Sequence, residues 1–394
     1  MFSYKLKTIM KFKFIVKFLF LLCLFTTVIL YFSERKMVYL TSVASTTTST
    51  SEFGDNQENF EASESSMYSV IILVQVHDRI QYLRELIYSL SKVSGISSAL
   101  LVFSHDLIDE EINNLIRNVT FCDVLQIYFP YSIQNFPDQF PGDDPNDCPR
   151  NIEKTEAIEK NCTSAQFPDK FNHYRESRLC QIKHHWWWKA NYVIDSLEVT
   201  RNHTGLFLFL EEDFYVLPDL IYVMKKMDGA CRNHKDCGGL VMGYREQARC
   251  PANELRTVLQ RRMGTIGFAI YRKTWELFKN CSENFCTFDE YNWDLSIFHV
   301  MKTCLKDQVT LLFSACSPRV LHLGVCGVHK KTKNCENSFN VLKKFYREMV
   351  YNHNPEKISV TELVGLVRIP GGNGGWADPR DHELCMSMVN KDMG

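Results

Sequence analysis

From Ser69 to Val76 the chain reads SVIILVQV, a nearly continuous apolar run of the kind a strand needs when both of its faces are buried in a parallel sheet. Leu83, Leu86, Ile87 and Leu90 follow at helical spacing and predict a helix with one apolar face. Two more apolar runs, Ala99 to Phe103 and Val124 to Phe129, predict a second and a third strand. Strand, helix and strand at this spacing make βαβ units, whose ligands sit at the carboxyl ends of the strands. Those positions carry His77, Asp78 and Arg79 after the first strand, and Ser104, His105 and Asp106 after the second. No G-x-G-x-x-G and no G-x-x-x-x-G-K-[ST] occurs at these turns, which disfavours a dinucleotide oxidoreductase or a P-loop kinase. A nucleotide bound here must be held by side chains and a metal.

Ahead of this segment the pattern is different. Phe14 to Phe32, FIVKFLFLLCLFTTVILYF, has Lys17 as its one charge and matches the ~20 residues that span a bilayer as a helix. Lys5, Lys7, Lys11 and Lys13 precede it, so residues 1–13 are expected in the cytosol and the rest of the chain in a lumen, as a single-pass type II anchor. A cleaved signal peptide is the alternative, but the run exceeds an apolar region of about 7–15 residues and no small-x-small site follows at once. Residues 33–66 contain a stretch rich in Ser, Thr and Glu that cannot offset its ordering entropy, and read as a flexible stem. The folded domain is expected over 67–394.

The chain has 394 residues, 45% hydrophobic and 23% charged, enough to bury a sizeable core, and its net charge of -1 offers no basic field for nucleic acid. Of the 15 cysteines, Cys23 lies in the anchor and the others on the luminal side, a usage that suits an oxidising compartment. A structural zinc site needs paired C-x2-C spacings, which are absent. Asn118, Asn161, Asn202 and Asn280 each head an N-x-Ser/Thr sequon, a candidate for N-glycosylation.

Three segments carry candidate chemistry. The strand-like Gly205 to Leu210 runs directly into Glu211-Glu212-Asp213. Crowded buried acids repel, and a hard cation held by one carboxylate plus diphosphate oxygens gives a reason for them; a solvated acidic turn is the other reading. In Thr287-Phe-Asp289-Glu290-Tyr291-Asn292-Trp293-Asp294, a helix capped by Thr287 would have Glu290 as the second half of a capping box. That leaves Asp294 unexplained, either a surface acid or a base accepting a hydroxyl proton beside a sugar platform at Trp293. Gln181-Ile182-Lys183-His184-His185-Trp-Trp-Trp188 opens a helix whose tryptophans are mostly core, while Lys183, His184 or His185 could reach a phosphate. His322, alternating with apolar residues, becomes a ligand only with a partner acid.

Taken in order, QVHDR from Gln75, FSHD from Phe103, CPR from Cys148, HYRE from His173, KHHWWWK from Lys183, LFLEED from Leu208, FCTFDEYNWD from Phe285, GGW from Gly374 and RDHELC from Arg380 resemble the alpha-1,6-mannosyl-glycoprotein 2-beta-N-acetylglucosaminyltransferase (N-acetylglucosaminyltransferase II) family. The likeness runs from about Ser69 to Cys385. It implies a GT-A type α/β fold, a Rossmann-like nucleotide half joined to an acceptor half, residence in the Golgi membrane, and an inverting transfer of N-acetylglucosamine from UDP-GlcNAc to an N-linked glycan with Mn2+. By the same resemblance Asp213 and His322 are metal ligands and Asp294 is the base. Gln75, Val76, His77, Asp78, Arg79, Asp106, Gln181, Ile182, Lys183, His184, His185 and Arg249 line the donor site. With the spacings, the resemblance implies disulfides Cys148–Cys162, Cys231–Cys237, Cys281–Cys304, Cys286–Cys385 and Cys326–Cys335, with Cys122, Cys180, Cys250 and Cys316 outside that set.

The chain departs from the family pattern at Asp78, where Asn is expected, at Phe214, where His is expected, and near Cys326, where one histidine of a pair is missing. Gly243 to Thr265 diverges most, and only Arg249 there aligns with a donor contact. Two other functions fit the same residues: another luminal UDP-sugar transferase, and a silent glycan-binding relative. The intact acid triplet, His322 and Asp294 argue against the second.

Overall fold

The structure, a computed structural model, describes residues 67–243, 253–306, 308–324, 335–348, 353–363 and 372–389. The expected anchor and stem lie outside these residues, and no helix among the described ones is long and apolar enough to cross a membrane.

The strands are β1 (Val70–Val76), β2 (Ala99–His105), β3 (Asp123–Tyr128), β4 (Leu206–Glu211), β5 (Phe214–Val216), β6 (Cys237–Val241), β7 (Glu254–Gln260), β8 (Phe268–Tyr271), β9 (Thr310–Ser314), β10 (Val320–His322) and β11 (Lys357–Glu362). Six helices matter below: α1 (Ile80–Leu90), α2 (Ser177–Asn191), α3 (Ser282–Thr287), α4 (Trp293–Thr303), α5 (Cys335–Glu348) and α6 (Pro379–Ser387). One mixed sheet of nine strands runs β11-β7-β9-β6-β8-β4-β1-β2-β3, and β10 and β5 form a separate antiparallel pair. β4, β1, β2 and β3 are mutually parallel, as the opening segment predicts. β8 is antiparallel to both β4 and β6 and interrupts the parallel order.

The unbroken apolar reading of β1 has a direct cause. Ile71 and Leu73 face one core with Phe207 and the tryptophans of α2, whereas Val70, Ile72, Val74 and Val76 face another with Leu83, Leu86 and Leu90 of α1. Helices therefore cover both faces of the sheet, and neither face of β1 can be polar. α2 is buried all round. Trp186 stacks on Trp293 at 4.5 Å, Trp187 on Phe285 at 4.2 Å and Trp188 on Tyr192 at 5.2 Å, so three consecutive indoles fan out into three neighbours.

The capping box does not form as the local pattern suggests. Thr287 ends α3, and the next helix, α4, starts at Trp293 with Asn292 as its N-cap. Glu290 is fully buried and spends its carboxylate elsewhere: Oε1 accepts from the Asn292 N–H at 3.0 Å, and Oε2 accepts from the Asn373 N–H. Asp169 Oδ2 likewise takes the Gly375 N–H at 2.7 Å, and Asp289 Oδ1 the Trp376 N–H at 3.0 Å. Three acids thus hold one turn whose Gly374 and Gly375 have φ of 71° and 75°, a left-handed geometry that favours glycine. A tertiary turn has outcompeted a local cap.

Four of the expected disulfides are present: Cys148–Cys162, Cys231–Cys237, Cys281–Cys304 and Cys286–Cys385. The Cys326–Cys335 pair and Cys250 lie outside the residues whose side chains are described. Cys122 and Cys180 are free thiols, whereas Cys316, expected outside the bonded set, is disulfide-bonded. All four sequon asparagines are exposed. The Cys286–Cys385 bond closes a separation of 99 residues and ties α3 to α6. Replacing both cysteines by serine should destabilise the protein by about 4 kcal/mol in the chain-entropy account, measured as a shift of the guanidinium midpoint against an unaltered Cys122→Ser control.

Candidate active site

The cleft lies where β1, β2 and β4 end. Parallel register sets Gln75 beside Glu211 and Val76 beside His105, so three strand ends deliver their polar residues to one place. A fourth contribution comes from β10. The chain turns after Asp213 into β5, whose antiparallel pairing with β10 places His322 opposite Phe214, and Leu323 N–H donates to Asp213 O at 2.8 Å. His322 Nε2 then stands 3.2 Å from Asp213 Oδ2.

Asp106 is the hub on one side. His77 Nδ1 donates to its Oδ1 at 2.7 Å and Gln181 Nε2 to its Oδ2 at 3.1 Å, with His185 Nδ1 at 3.6 Å. Burial alone would raise the Asp106 carboxyl, but the nearby His185 ring and the hydrogen bond from His77 hold it well below the usual range. The hydrogen bond to Asp106 outweighs burial at His77 and lifts it to about 9. On the other side Arg79 donates through Nε to Glu212 Oε1 at 2.7 Å and through Nη1 to Asp213 Oδ2 at 2.8 Å. Burial opposes charge on Asp213, yet His322 and Arg79 hold its carboxyl below the ordinary value. Glu211 is pushed up to about 7 by burial and by Asp213, which outweigh the pull of His322, Arg79 and Lys189. Beneath them Lys189 donates to Gln75 Oε1 at 2.8 Å, and burial drops it to about 7.

Gln75, His77, Arg79, Asp106, Gln181 and His185, all expected at the donor site, are therefore linked into one hydrogen-bonded cleft with Asp213 and His322. Asp78 is beside them, 60% exposed and 3.7 Å from His77 Nε2. Val76 and Ile182 contribute apolar packing, the first buried in the core shared with α1 and the second half-buried against the core on the other face of the sheet. Lys183 and His184 are not brought to the cleft. Lys183 Nζ is buried, donates to the carbonyls of Phe288 at 3.2 Å and Glu290 at 3.0 Å, and lies 4.2 Å from the Trp376 ring centroid. His184 Nε2 pairs with Asp381 Oδ1 at 2.9 Å. Successive helix positions point about 100° apart, so a string of basic residues cannot serve one ligand. Arg249 lies outside the described residues.

Asp294 sits half-buried in the first turn of α4. Trp293 is 5% exposed, its face covered by Trp186 with the two planes 4° apart, so it is not an open platform for a sugar ring. Sequence reasoning named Glu212 only as a member of the acid triplet and missed Lys189 as part of the cleft; the signal for Lys189 was its place two turns beyond Gln181 on a helix already suspected.

An open α/β sheet with a polar cleft at its parallel strand ends, an acid–histidine pair and two cationic side chains defines an enzyme of the kind that handles phosphorylated substrates. The sequence profile of the N-acetylglucosaminyltransferase II family matches residues 45–385, and the chain belongs to that family. It is 41% identical over 329 residues to the alpha-1,6-mannosyl-glycoprotein 2-beta-N-acetylglucosaminyltransferase of Sus scrofa, covering 81% of this chain and 73% of that protein. The Homo sapiens protein of the same name is 40% identical over 331 residues, 81% and 73% of the two chains, and the Arabidopsis thaliana protein 32% over 341 residues, 81% and 74%. Among solved structures, S. aureus TarS 1-349 is similar with a TM-score of 0.32 and 10% identity over 62% of this chain and 60% of that one.

His77 and Asp106 give a testable pH signature. The His77 value lies above its ordinary 6.5, so its contribution to stability is complete below that pH and fades as pH rises through about 9. Asp106 is shifted down, so its contribution is present above the ordinary 3.8 and is lost only in stronger acid. Asp106→Asn should thus lower the melting temperature more at roughly pH 6 than at roughly pH 10. In NMR the His77 titration midpoint should move down from about 9.

Proposed function

We propose that this chain moves N-acetylglucosamine from UDP-GlcNAc to the 2-hydroxyl of the alpha-1,6 mannose of N-linked glycans, with inversion and with Mn2+. The reading rests on family membership, on the names its relatives carry, and on one observation in the cleft: Asp213 Oδ1 is buried and has no hydrogen-bond partner among the described residues. Beside it, a side chain at Gly324 would collide with Asp213 Oδ2 and crowd His322 Nε2, so glycine keeps this volume clear. Asp213 Oδ2 and His322 Nε2 border that volume, and a carboxylate and an imidazole at one small space fit a divalent cation. Among the described residues no three His, Cys, Asp or Glu converge. Two protein ligands suffice for a hard ion that completes its shell with phosphate oxygens and water. Such a cation would neutralise charge building on the UDP leaving group.

The chain's own residues do the rest. Arg79 and His77 offer fixed positive charge to the diphosphate, and Asp106 with Gln181 and His185 keeps the His77 ring in place. Asp294 accepts the proton of the mannose 2-hydroxyl as that oxygen attacks the anomeric carbon opposite the departing UDP. The carbon–oxygen bond to phosphate breaks as the new glycosidic bond forms, which turns an alpha donor into a beta product without a covalent sugar–enzyme intermediate.

The remaining features belong to the same proposal: a GT-A type division into donor and acceptor halves, an anchor at 14–32, a stem at 33–66, and a catalytic domain in the Golgi lumen. Four disulfides and four exposed sequons support the luminal side.

The deciding assay supplies purified protein with UDP-GlcNAc, Mn2+ and an N-glycan already bearing GlcNAc on its alpha-1,3 mannose. Transfer should stop on chelation and return with Mn2+, and Asp213→Ala should be nearly inactive; full turnover in excess chelator would sink the metal assignment. Asp294→Asn should lower kcat by about 10²–10⁴ while UDP affinity holds, and a near wild-type rate at saturating acceptor would send the search for the base elsewhere.

A further inference from the structure

Of the three adjacent acids at the end of β4, the middle one has the most completely engaged carboxylate. Glu212 is 1% exposed. Its Oε1 accepts from Arg79 Nε at 2.7 Å and its Oε2 from the His77 backbone N–H at 2.8 Å. Its own N–H donates to Gln75 O at 3.0 Å, carrying the β1–β4 ladder one residue past the strand. Both side-chain oxygens are thus committed to the turn between β1 and α1, in contrast to Asp213, whose Oδ1 has no partner among the described residues.

Within that turn Ile80 N–H donates to Asp78 O at 3.2 Å, and the His77 ring is held by Asp106. Arg79 occupies the N-cap position of α1 and makes no side-chain cap hydrogen bond. The Arg79 guanidinium is gripped at Nε by Glu212 while Nη1 reaches Asp213, and its carbon lies 5.4 Å from the Tyr82 ring centroid. A planar fork held along one edge presents its other edge in a fixed direction.

We infer that Glu212 is the positioning residue of the donor cleft: it fixes the His77–Arg79 turn and the rotation of the Arg79 guanidinium toward the diphosphate, and is not a ligand of the cation. The inference rests on the reading of the cleft as a UDP-sugar site. Removing the Glu212 charge leaves a half-buried guanidinium held by Asp213 alone, and the cost falls on nucleotide binding.

The full chain is titrated with UDP in the presence of Mn2+ by calorimetry, as wild type, Glu212→Gln, Arg79→Gln and the double variant. Glu212→Gln should weaken UDP binding about tenfold, the size expected for one hydrogen bond to a charged group. The loss in the double variant should be smaller than the sum of the two single losses, because part of the Glu212 effect acts through Arg79. Mn2+ binding without nucleotide, followed by electron paramagnetic resonance, should change less than UDP binding does. Unaltered UDP affinity in folded Glu212→Gln, additive losses in the double variant, or a larger loss of Mn2+ than of UDP would each overturn the inference. If Glu212→Gln does not fold, Glu212→Asp, which keeps the charge and shortens the reach, should weaken UDP by a smaller factor, and unchanged affinity there is equally fatal. Wild-type protein that binds no UDP removes the reading of the cleft and the inference together, whereas wild-type binding with an indifferent Glu212 removes the inference alone.

Discussion

A helix buried on every side cannot leave a charge unmatched, and α2 carries four ionisable side chains into the core. Each has found its oxygen in a different part of the molecule. Lys183 holds the carbonyls of Phe288 and Glu290, His184 meets Asp381 on α6, His185 shares a hydrogen bond with Ser104 at 2.7 Å, and Lys189 reaches Gln75 at the end of β1. The need to satisfy these groups fixes the donor side of the cleft, the segment leading to Asp294 and the C-terminal helix against one common rod. Loss of a partner at any of the four would strand a buried donor, which is more costly than the hydrogen bond itself is worth.

The acid pairs work by the same rule at lower cost. Arg175 and His184 share the two oxygens of Asp381, and Arg319 takes both oxygens of Asp219, at 2.7 and 3.0 Å, beside the start of the helix that follows β5. At the cleft the matching is left incomplete on purpose of chemistry: Asp213 retains one oxygen without a partner and Glu211 retains its proton toward neutral pH. Unmet polarity at a cleft is what a site that keeps room for a ligand requires.

Much of this was legible in the sequence where the signal is local. β1, β2, β3 and α1 follow from runs and periodicity because burial on two faces of the sheet writes itself into consecutive residues. The acid triplet was legible as a strand running into charge. Local patterns alone did not reveal what distant partners do, although the family resemblance did give the Cys286–Cys385 pairing across 99 residues. Thr287 to Glu290 matches a capping box, yet Glu290 is drawn to the Asn373 amide; Trp293 reads as a free aromatic face until Trp186 covers it; and His322 becomes a candidate ligand only through the pairing of β10 with β5. Lys183 and His184 share a basic string with His185, but helical geometry sends them to other neighbours.

The bond between Cys286 and Cys385 also orders events in time. During synthesis Cys281 and Cys304, 23 residues apart, are both available long before Cys385 emerges 99 residues after Cys286. Cys286 must wait as a thiol beside a bridge already able to close. A ribosome that stops short of residue 385 therefore releases a chain whose sheet is encoded but whose last clasp is not, and whose waiting thiol marks it as unfinished to any factor that inspects exposed sulfur.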